Sequence, residues 1–480
     1  MVFNSVEFLL FFPLVVIGYY LIPHRYRWML LLAGSYYFYM CWKLEYVFLI
    51  LFSTMVDYFA GIMMEKNEGK QHVRKFYLIM SLVVNLGLLF TFKYFNFFSE
   101  NLRYVFNAFN VVYHAPSLNL LLPVGISFYT FQTLSYTIEV YRGNYKAEKH
   151  FGYFALYVAY FPQLVAGPIE RPENLLPQLR QKMHFSYQNV TDGLKMMAWG
   201  FFKKLVIADR CAILVDQAYA APGGLYGLNL FIPSMLFYFQ IYCDFSAYSD
   251  IAVGTARLMG VRLSVNFNRP YLANSFRSYW RRWHMTLTLW IKDYLFKPII
   301  ISVNHWGMAG KFFAVISSFT IIGLWHGASW GMVLFGFVNG LLVAAERIVW
   351  PWQKLMWRYL PEKVNNVLGG LTVFFAFILI SVVFRSNNVE DMFTIFRQMF
   401  LFKAQPFALL TGVNGYHFIT VMLFTGLVVL IESLQREKPF FSDWVNQLRL
   451  PVRWSIYVVL MLVILGFGIF STKEYIYFQF

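Results

Sequence analysis

Two of the nine histidines stand apart from the rest. His326 lies in IIGLWHGASWG, preceded by Ile321 to Trp325 and followed by Gly327, Ala328 and Trp330, a run that reads as membrane-buried. An imidazole in such a run has no ready water and needs a partner or a task. The plainer alternative is a helix-packing histidine bonded to a neighbouring carbonyl. His284 follows two arginines in FRSYWRRWHMTLTLWIKDYLF. A continuous helix through this segment places Trp283, Leu287 and Trp290 on one apolar face and Arg281, His284 and Thr288 on another. That suits an interfacial helix whose cations, Arg281 and Arg282, meet phosphates and whose rings anchor it. An anionic lipid headgroup and the phosphates of coenzyme A satisfy the pattern equally. Most other histidines, such as His24, His72, His114, His150 and His184, sit in polar loops.

A second constellation precedes these. IYCDFSAYSDIAVGTARLMGVRLSVNFNRPY sets Asp244, Ser246, Tyr248, Ser249 and Asp250 in an apolar context. Buried carboxylates are costly unless paired, and Arg257, Arg262 and Arg269 are close enough in sequence to serve. Such a segment is either a structural ion-pair network or the polar wall of a substrate tunnel. Cys41, Cys211 and Cys243 are scattered, so neither a disulfide framework nor a metal site follows from them. There is no G-x-S-x-G, Walker A loop, dinucleotide-binding glycine run or H-E-x-x-H. The one economical enzymatic design left is a histidine base turning a hydroxyl onto an activated acyl donor.

The elements that must position these residues are membrane helices. The chain is 59% hydrophobic, 21% aromatic and only 13% charged, against about a quarter charged for soluble proteins. Apolar runs of roughly 17 to 25 residues recur from end to end, the length that crosses about 30 Å of hydrocarbon. The expected fold is all-α and polytopic, one integral-membrane domain over residues 1–480 with about ten to twelve crossings. Residues 1–150 supply N-terminal spans, 151–345 the core with re-entrant and interfacial elements, and 346–480 the C-terminal spans. The net charge of +16 is explained by basic cytoplasmic loops, and no nucleic-acid-reading motif appears. Alternating basic and charge-poor loops place both termini outside the cytoplasm. The opening MVFNSVEFLLFFP lacks a basic n-region and reads as a retained span.

Between Phe151 and Leu179 four prolines break the helical pattern, which predicts either a re-entrant turn packed within protein or a loop at the headgroups. Gly193 to Leu214 reads as a helix whose Lys203, Lys204 and Arg210 suit the cytoplasmic interface. Gly327 with Gly331, and Gly336 with Gly340, give two small-xxx-small spacings for close helix contact. Phe393 to Phe402 reads as an amphipathic interfacial helix.

The longer motifs are specific. MVFNSVEFLLFFP, LLPVGISFYTFQTLSY, YFPQLVAGPIERPENLLPQL, QIYCDFSAYSDIAVGTARLMG, NFNRPYLANSFRSYWRRWHMTLTLWIKDYLF, GLWHGASW and YIYFQF together resemble the membrane-bound O-acyltransferase (MBOAT) superfamily, and within it the bacterial alginate O-acetyltransferase branch. The teichoic acid D-alanyl transferases are more distant. After Tyr294 this chain reads FKPIIISVNHWG where relatives often carry a glycine-rich turn. The resemblance implies a helical bundle in the bacterial inner membrane around a central tunnel, with the donor entering from the cytoplasm. It makes His326 the catalytic histidine and His284 the second, donor-side one, with Trp325, Asp244, Asp250, Asn266 and Arg269 as tunnel support. It implies acetyl-CoA as acyl-donor substrate with no bound cofactor or metal, an extracytoplasmic SGNH-type acetyltransferase partner, and an exported polysaccharide or cell-wall polymer as final acceptor. The alternatives are D-alanyl transfer from a carrier protein toward teichoic acid, or a transporter or lipid flippase using the same polar residues.

Overall fold

In the computed structural model every described residue in a regular element is helical. The described residues are 1–480 without 357–358, 402, 404, 408–411, 436–437, 471–473 and 479–480; side chains at 350–356 and 412–413 are also left aside. Seven described helices are long and apolar enough to cross a membrane. The sequence count of ten to twelve is reached only with Val6–Leu21, His24–Met40, Ile126–Arg142 and Leu228–Leu258, which are shorter or carry more polar residues. The chain divides into two compact units, Met1–Leu194 with Ala252–Ser264, and Lys195–Ile251 with Val265–Phe480.

In the first unit the spans Leu44–Lys66 and Gln71–Ala108 pack with Ile126–Arg142, whose side chains are almost all buried. Their seam holds one polar node. The Asp57 carboxylate accepts from Ser81 Oγ at 2.6 Å and from Asn85 Nδ2 at 2.8 Å, so no lone carboxylate faces lipid. The proline-rich segment resolves into Phe151–Ala159, an irregular turn and Pro172–Arg180. Tyr157 Oη donates to the Gln132 carbonyl at 3.1 Å, and the Ser264 N–H to the buried Glu170 carboxylate. It is the protein-packed form of the two expected, because irregular backbone needs polar partners that lipid lacks.

The second unit holds the spans Asn304–His326, Trp330–Val349, Glu362–Arg385, Asn414–Leu434 and Leu450–Phe467. Gly307–His326 and Trp330–Met356 approach through glycines. A Cβ on Gly336 would strike the Phe319 carbonyl and lie 2.9 Å from the Gly323 nitrogen; one on Gly340 would lie 2.8 Å from Ile316 Cα. Of the two expected spacings, Gly336/Gly340 makes the close contact, while Gly327 and Gly331 face side chains or space. The interfacial helix forms over Val389–Met399 with Phe393 exposed; Phe402, the end of the expected range, lies outside the described residues.

Lys203 and Lys204 depart from expectation. They lie in the π turn Phe202–Ala208 after Tyr187–Phe201, and are 2% and 1% exposed, each facing carboxylates rather than an interface. A window of hydropathy cannot separate a lysine that meets headgroups from one that meets a carboxylate on another helix.

Replacing Gly336 by Leu should force the helix pair apart and cost about 1–3 kcal/mol of stability, the usual cost of overpacking. Gly331→Leu, with no such contact, is the control. Thermal unfolding of both variants in detergent checks this; equal melting temperatures would remove the close-contact role of Gly336.

Candidate functional site: two histidines on one aromatic chamber

The segment around His284 is not the continuous helix its periodicity predicts. Ser275 caps Phe276–Trp280, its Oγ accepting the Ser278 N–H at 3.1 Å, and the helix stops at Arg281. His284 then adopts a left-handed conformation, φ 42° and ψ 55°, before Met285–Ile291 begins. The interruption is held by Asn266. Its backbone carbonyl accepts the Met285 N–H at 2.9 Å, and its side-chain Oδ1 accepts from the Thr286 N–H at 3.3 Å and Thr286 Oγ1 at 2.9 Å. The amides freed by breaking the helix thus find acceptors. The same Oδ1 lies 3.0 Å from His284 Nδ1. Since this oxygen only accepts, the bond places the proton on Nδ1 and leaves Nε2 with the lone pair. Burial, and after it the neighbouring His326, hold the His284 imidazole well below its ordinary pKa, hence neutral.

The break also separates residues that sequence periodicity had put on one face. Arg281 is exposed, whereas His284 is 1% exposed. Arg282 points to neither, and its carbonyl accepts the Asn268 N–H at 2.9 Å.

His326 ends the helix Gly307–His326 and is 3% exposed. The Trp325 ring lies 4.9 Å from the His326 ring and 6.2 Å from that of His284, measured between centroids. Tyr477 does the same from another side, at 5.6 Å from His326 and 6.3 Å from His284. Phe245 stacks on Tyr477 at 3.8 Å and meets His284 edge-on at 4.7 Å. Both imidazoles therefore border one aromatic cluster. A chamber of about 40 Å³ opens there, walled by His326, Trp280, Trp283, Tyr238, Phe335, Ser381, Phe384 and Tyr477 among others. That is room for about one water, whose share of liquid volume is ≈ 30 Å³.

Trp280 lines this chamber and also a larger cleft of about 450 Å³, whose other walls include Met285, Leu289, Phe296, Phe319 and Ile322. Arg277, Arg281, Phe296, Val315 and Val343 are shared between that cleft and a second, of about 530 Å³, which adds Lys311, Glu346 and Arg347. The two clefts together carry five cations, Arg277, Arg281, Lys292, Lys311 and Arg347, and one carboxylate, Glu346, and Trp280 joins the more apolar cleft to the chamber at His326. Such an arrangement can bind a polyanion with an apolar arm and present its end to a neutral base. Lys311 and Arg347 were not singled out by sequence, since each comes from a different helix with no local motif. Tyr477 lies within the YIYFQF motif but is not singled out by it, because in a chain so rich in aromatics a tyrosine's type gives it no role.

The carboxylates find other partners than the arginines expected from sequence. Asp250 pairs with Lys203 at 2.7 Å, and Lys203 also faces Glu432 at 3.8 Å and Ser246 Oγ at 2.8 Å. Tyr242 and Tyr271 both donate to Glu432 Oε2 at 2.6 Å. Asp244 pairs with Lys204 at 2.7 Å, beside Asp209 at 2.9 Å. Arg257 instead faces Asp192 at 3.9 Å. Arg269, left-handed at φ 49°, donates to the Glu432 carbonyl at 3.2 Å and to Asn268 Oδ1 at 2.9 Å. Proximity in sequence misleads here because the lysines project from another helix. Of the weaker candidates, Asn266 and Trp325 touch a histidine ring; Asp244, Asp250 and Arg269 belong to the ion-pair network.

Because a left-handed backbone costs roughly 1–2 kcal/mol for residues other than glycine, His284→Gly should unfold at a higher temperature than His284→Ala. Paired melts of the two variants test it, both lacking the imidazole. A higher melting temperature for the alanine variant would contradict the conformation described.

A sequence model of the MBOAT, membrane-bound O-acyltransferase family, matches residues 30–385. The chain is 34% identical over 406 residues to the probable alginate O-acetylase AlgI of Azotobacter vinelandii, covering 84% of this chain and 78% of that one. It is 29% identical over 433 residues to the peptidoglycan O-acetyltransferase of Helicobacter pylori, covering 83% and 80%. Similarity extends to the teichoic acid D-alanyltransferase of Streptococcus thermophilus, 26% over 308 residues, covering 58% and 72%. A polytopic helical chain with this site and these relatives belongs to the membrane-bound O-acyltransferase family, and is an acyltransferase.

Proposed function

We propose that this acyltransferase takes acetyl groups from cytoplasmic acetyl-CoA and delivers them across the bacterial inner membrane, for O-acetylation of an exported polysaccharide or cell-wall polymer. The observation that carries the reading is the meeting of His284 and His326 at one aromatic cluster, with a small chamber at His326 and a cationic cleft near it. Arg277, Arg281, Lys311 and Arg347 receive the donor's phosphates, and the apolar cleft receives the pantetheine arm. The thioester then lies near Trp280. His284, oriented by Asn266, packs its ring beside the thioester, its Nε2 able to accept a proton but not to donate one. His326 takes the proton from the acceptor hydroxyl as its oxygen forms the bond to the acetyl carbon. The carbon–sulfur bond breaks, and the thiolate leaves and takes up that proton. Dry walls favour transfer to the acceptor over loss to water. Basic loops alternating with charge-poor ones orient the chain with both ends outside, where an SGNH-type partner completes transfer to polymer.

The names of the relatives support polysaccharide or peptidoglycan as the acceptor. The D-alanyl alternative is supported by a relative covering less of the chain. A transporter or flippase reading fits poorly with a chamber of about 40 Å³, too small for an intact sugar or lipid headgroup.

Replacing His326 by Ala should abolish polymer acetylation while membrane protein level is unchanged; chemical analysis of surface-polymer ester content measures it, and wild-type ester content would sink the assignment. Arg281→Ala and Lys311→Ala should each raise the KM for acetyl-CoA roughly three- to tenfold with kcat little changed, as expected for contacts made alike in ground and transition states. Steady-state kinetics on purified protein decides, and an unchanged KM would detach the cleft from the donor.

A further inference from the structure

Lys204 and Asp244 are buried charges outside the chamber's wall, yet they hold a segment that contributes to it. Lys204 Nζ lies between Asp244 Oδ1 and Asp209 Oδ1. The other oxygen of Asp244, Oδ2, accepts the backbone N–H of Ile476 at 2.8 Å. Lys204 itself donates to the Glu474 carbonyl at 3.4 Å and sits 4.2 Å over the Tyr475 ring. One ion pair thus takes a carbonyl, a ring and an amide from three successive residues. The next residue is Tyr477, whose ring borders both imidazoles.

A short segment beyond the last span, beginning the single 3₁₀ turn Ile476–Phe478, has little secondary structure to fix it. A charge-assisted hydrogen bond from a backbone amide to a buried carboxylate is stronger than a neutral one and is geometrically exacting. Lys204 holds Asp244 Oδ1 at 2.7 Å, which leaves Oδ2 fixed to accept the Ile476 amide. We propose that Asp244 and Lys204 are positioning residues for acyl transfer, seating the Glu474–Phe478 segment so that Tyr477 walls the chamber at His326 and borders His284 as well. The inference rests on the reading of that chamber as the place of transfer. It also gives Asp244 a task different from lining a tunnel: it acts through the backbone of another segment.

Removing Lys204 alone leaves buried Asp244 without the cation that faces it and invites misfolding. Ile476→Pro avoids this. Proline lacks the N–H, is tolerated at the first position of a helical turn, and leaves the Lys204–Asp244 pair intact. The double variant Lys204→Met with Asp244→Leu removes both charges together and is the second probe. Seating is read by maleimide labelling of Phe478→Cys in a Cys41→Ser background, the other two cysteines being buried. Labelling should be slow in the background and roughly tenfold or more faster with Ile476→Pro, the scale of one charge-assisted hydrogen bond. In the otherwise native chain, kcat should fall about tenfold or more while the KM for acetyl-CoA stays within about twofold. The double variant should give the same split.

Unchanged labelling overturns the proposal, as does faster labelling with an unchanged kcat, or a KM that rises while kcat holds. Should the wild-type chain transfer nothing from acetyl-CoA, the donor assignment fails; labelling still reads the seating, and the kcat split is taken with a charged carrier protein instead.

Discussion

The site depends on one carboxamide. Asn266 Oδ1 accepts from the backbone and hydroxyl of Thr286 and lies against His284 Nδ1, while its carbonyl accepts from Met285. Without these acceptors, the segment from Phe276 to Phe296 would gain by continuing as one helix, since each amide would be satisfied within it. With them, the chain turns at a left-handed histidine and sends the imidazole inward while Arg281 stays outside. A histidine with a positive φ is uncommon, and such strain persists where the surroundings over-determine it. Here the same oxygen that stabilises the turn also sets the tautomer, so backbone geometry and ring chemistry come from a single contact.

Around that contact the protein separates charge from the chamber. The chamber's walls are mostly rings and aliphatic side chains, with hydroxyls only from Ser381, Tyr238, Tyr279 and Tyr477 among the described residues. The ionised groups lie in two places instead: the cations of the outer cleft, and the buried pairs Lys203–Asp250 and Lys204–Asp244. Buried ion pairs add little net stability compared with apolar packing, because desolvation offsets the attraction. Their value here is geometric. Lys203, Glu432, Tyr242 and Tyr271 tie four stretches of chain together, and Arg269 closes the set through the Glu432 carbonyl. The residues that wall the chamber include no aspartate, glutamate, lysine or arginine.

The sequence by itself determined the class of the molecule and its most unusual residue. Apolar runs of membrane-spanning length leave few folds, because backbone amides in lipid must be satisfied within helices. His326, an imidazole in such a run, was legible because polarity at that depth is costly. The Gly336/Gly340 spacing foretold a close helix pair for a similarly local reason: only glycine admits a backbone at that distance. The motifs running the length of the chain pointed to the family that the comparisons then showed.

What only the tertiary structure decided is everything that joins residues on different elements. Periodicity placed His284 beside Arg281, but periodicity assumes a helix, and the acceptor that ends it comes from Asn266, eighteen positions earlier. Nearness in sequence offered arginines to Asp244 and Asp250, whereas lysines about forty positions upstream took them. Tyr477, Lys311 and Arg347 carry no local signal, since a tyrosine or a cation is ordinary until something distant gives it a neighbour. Covalent order restricts only a few residues on either side; burial and hydrogen bonding select partners through space, and it is those partners that turn two histidines into one site.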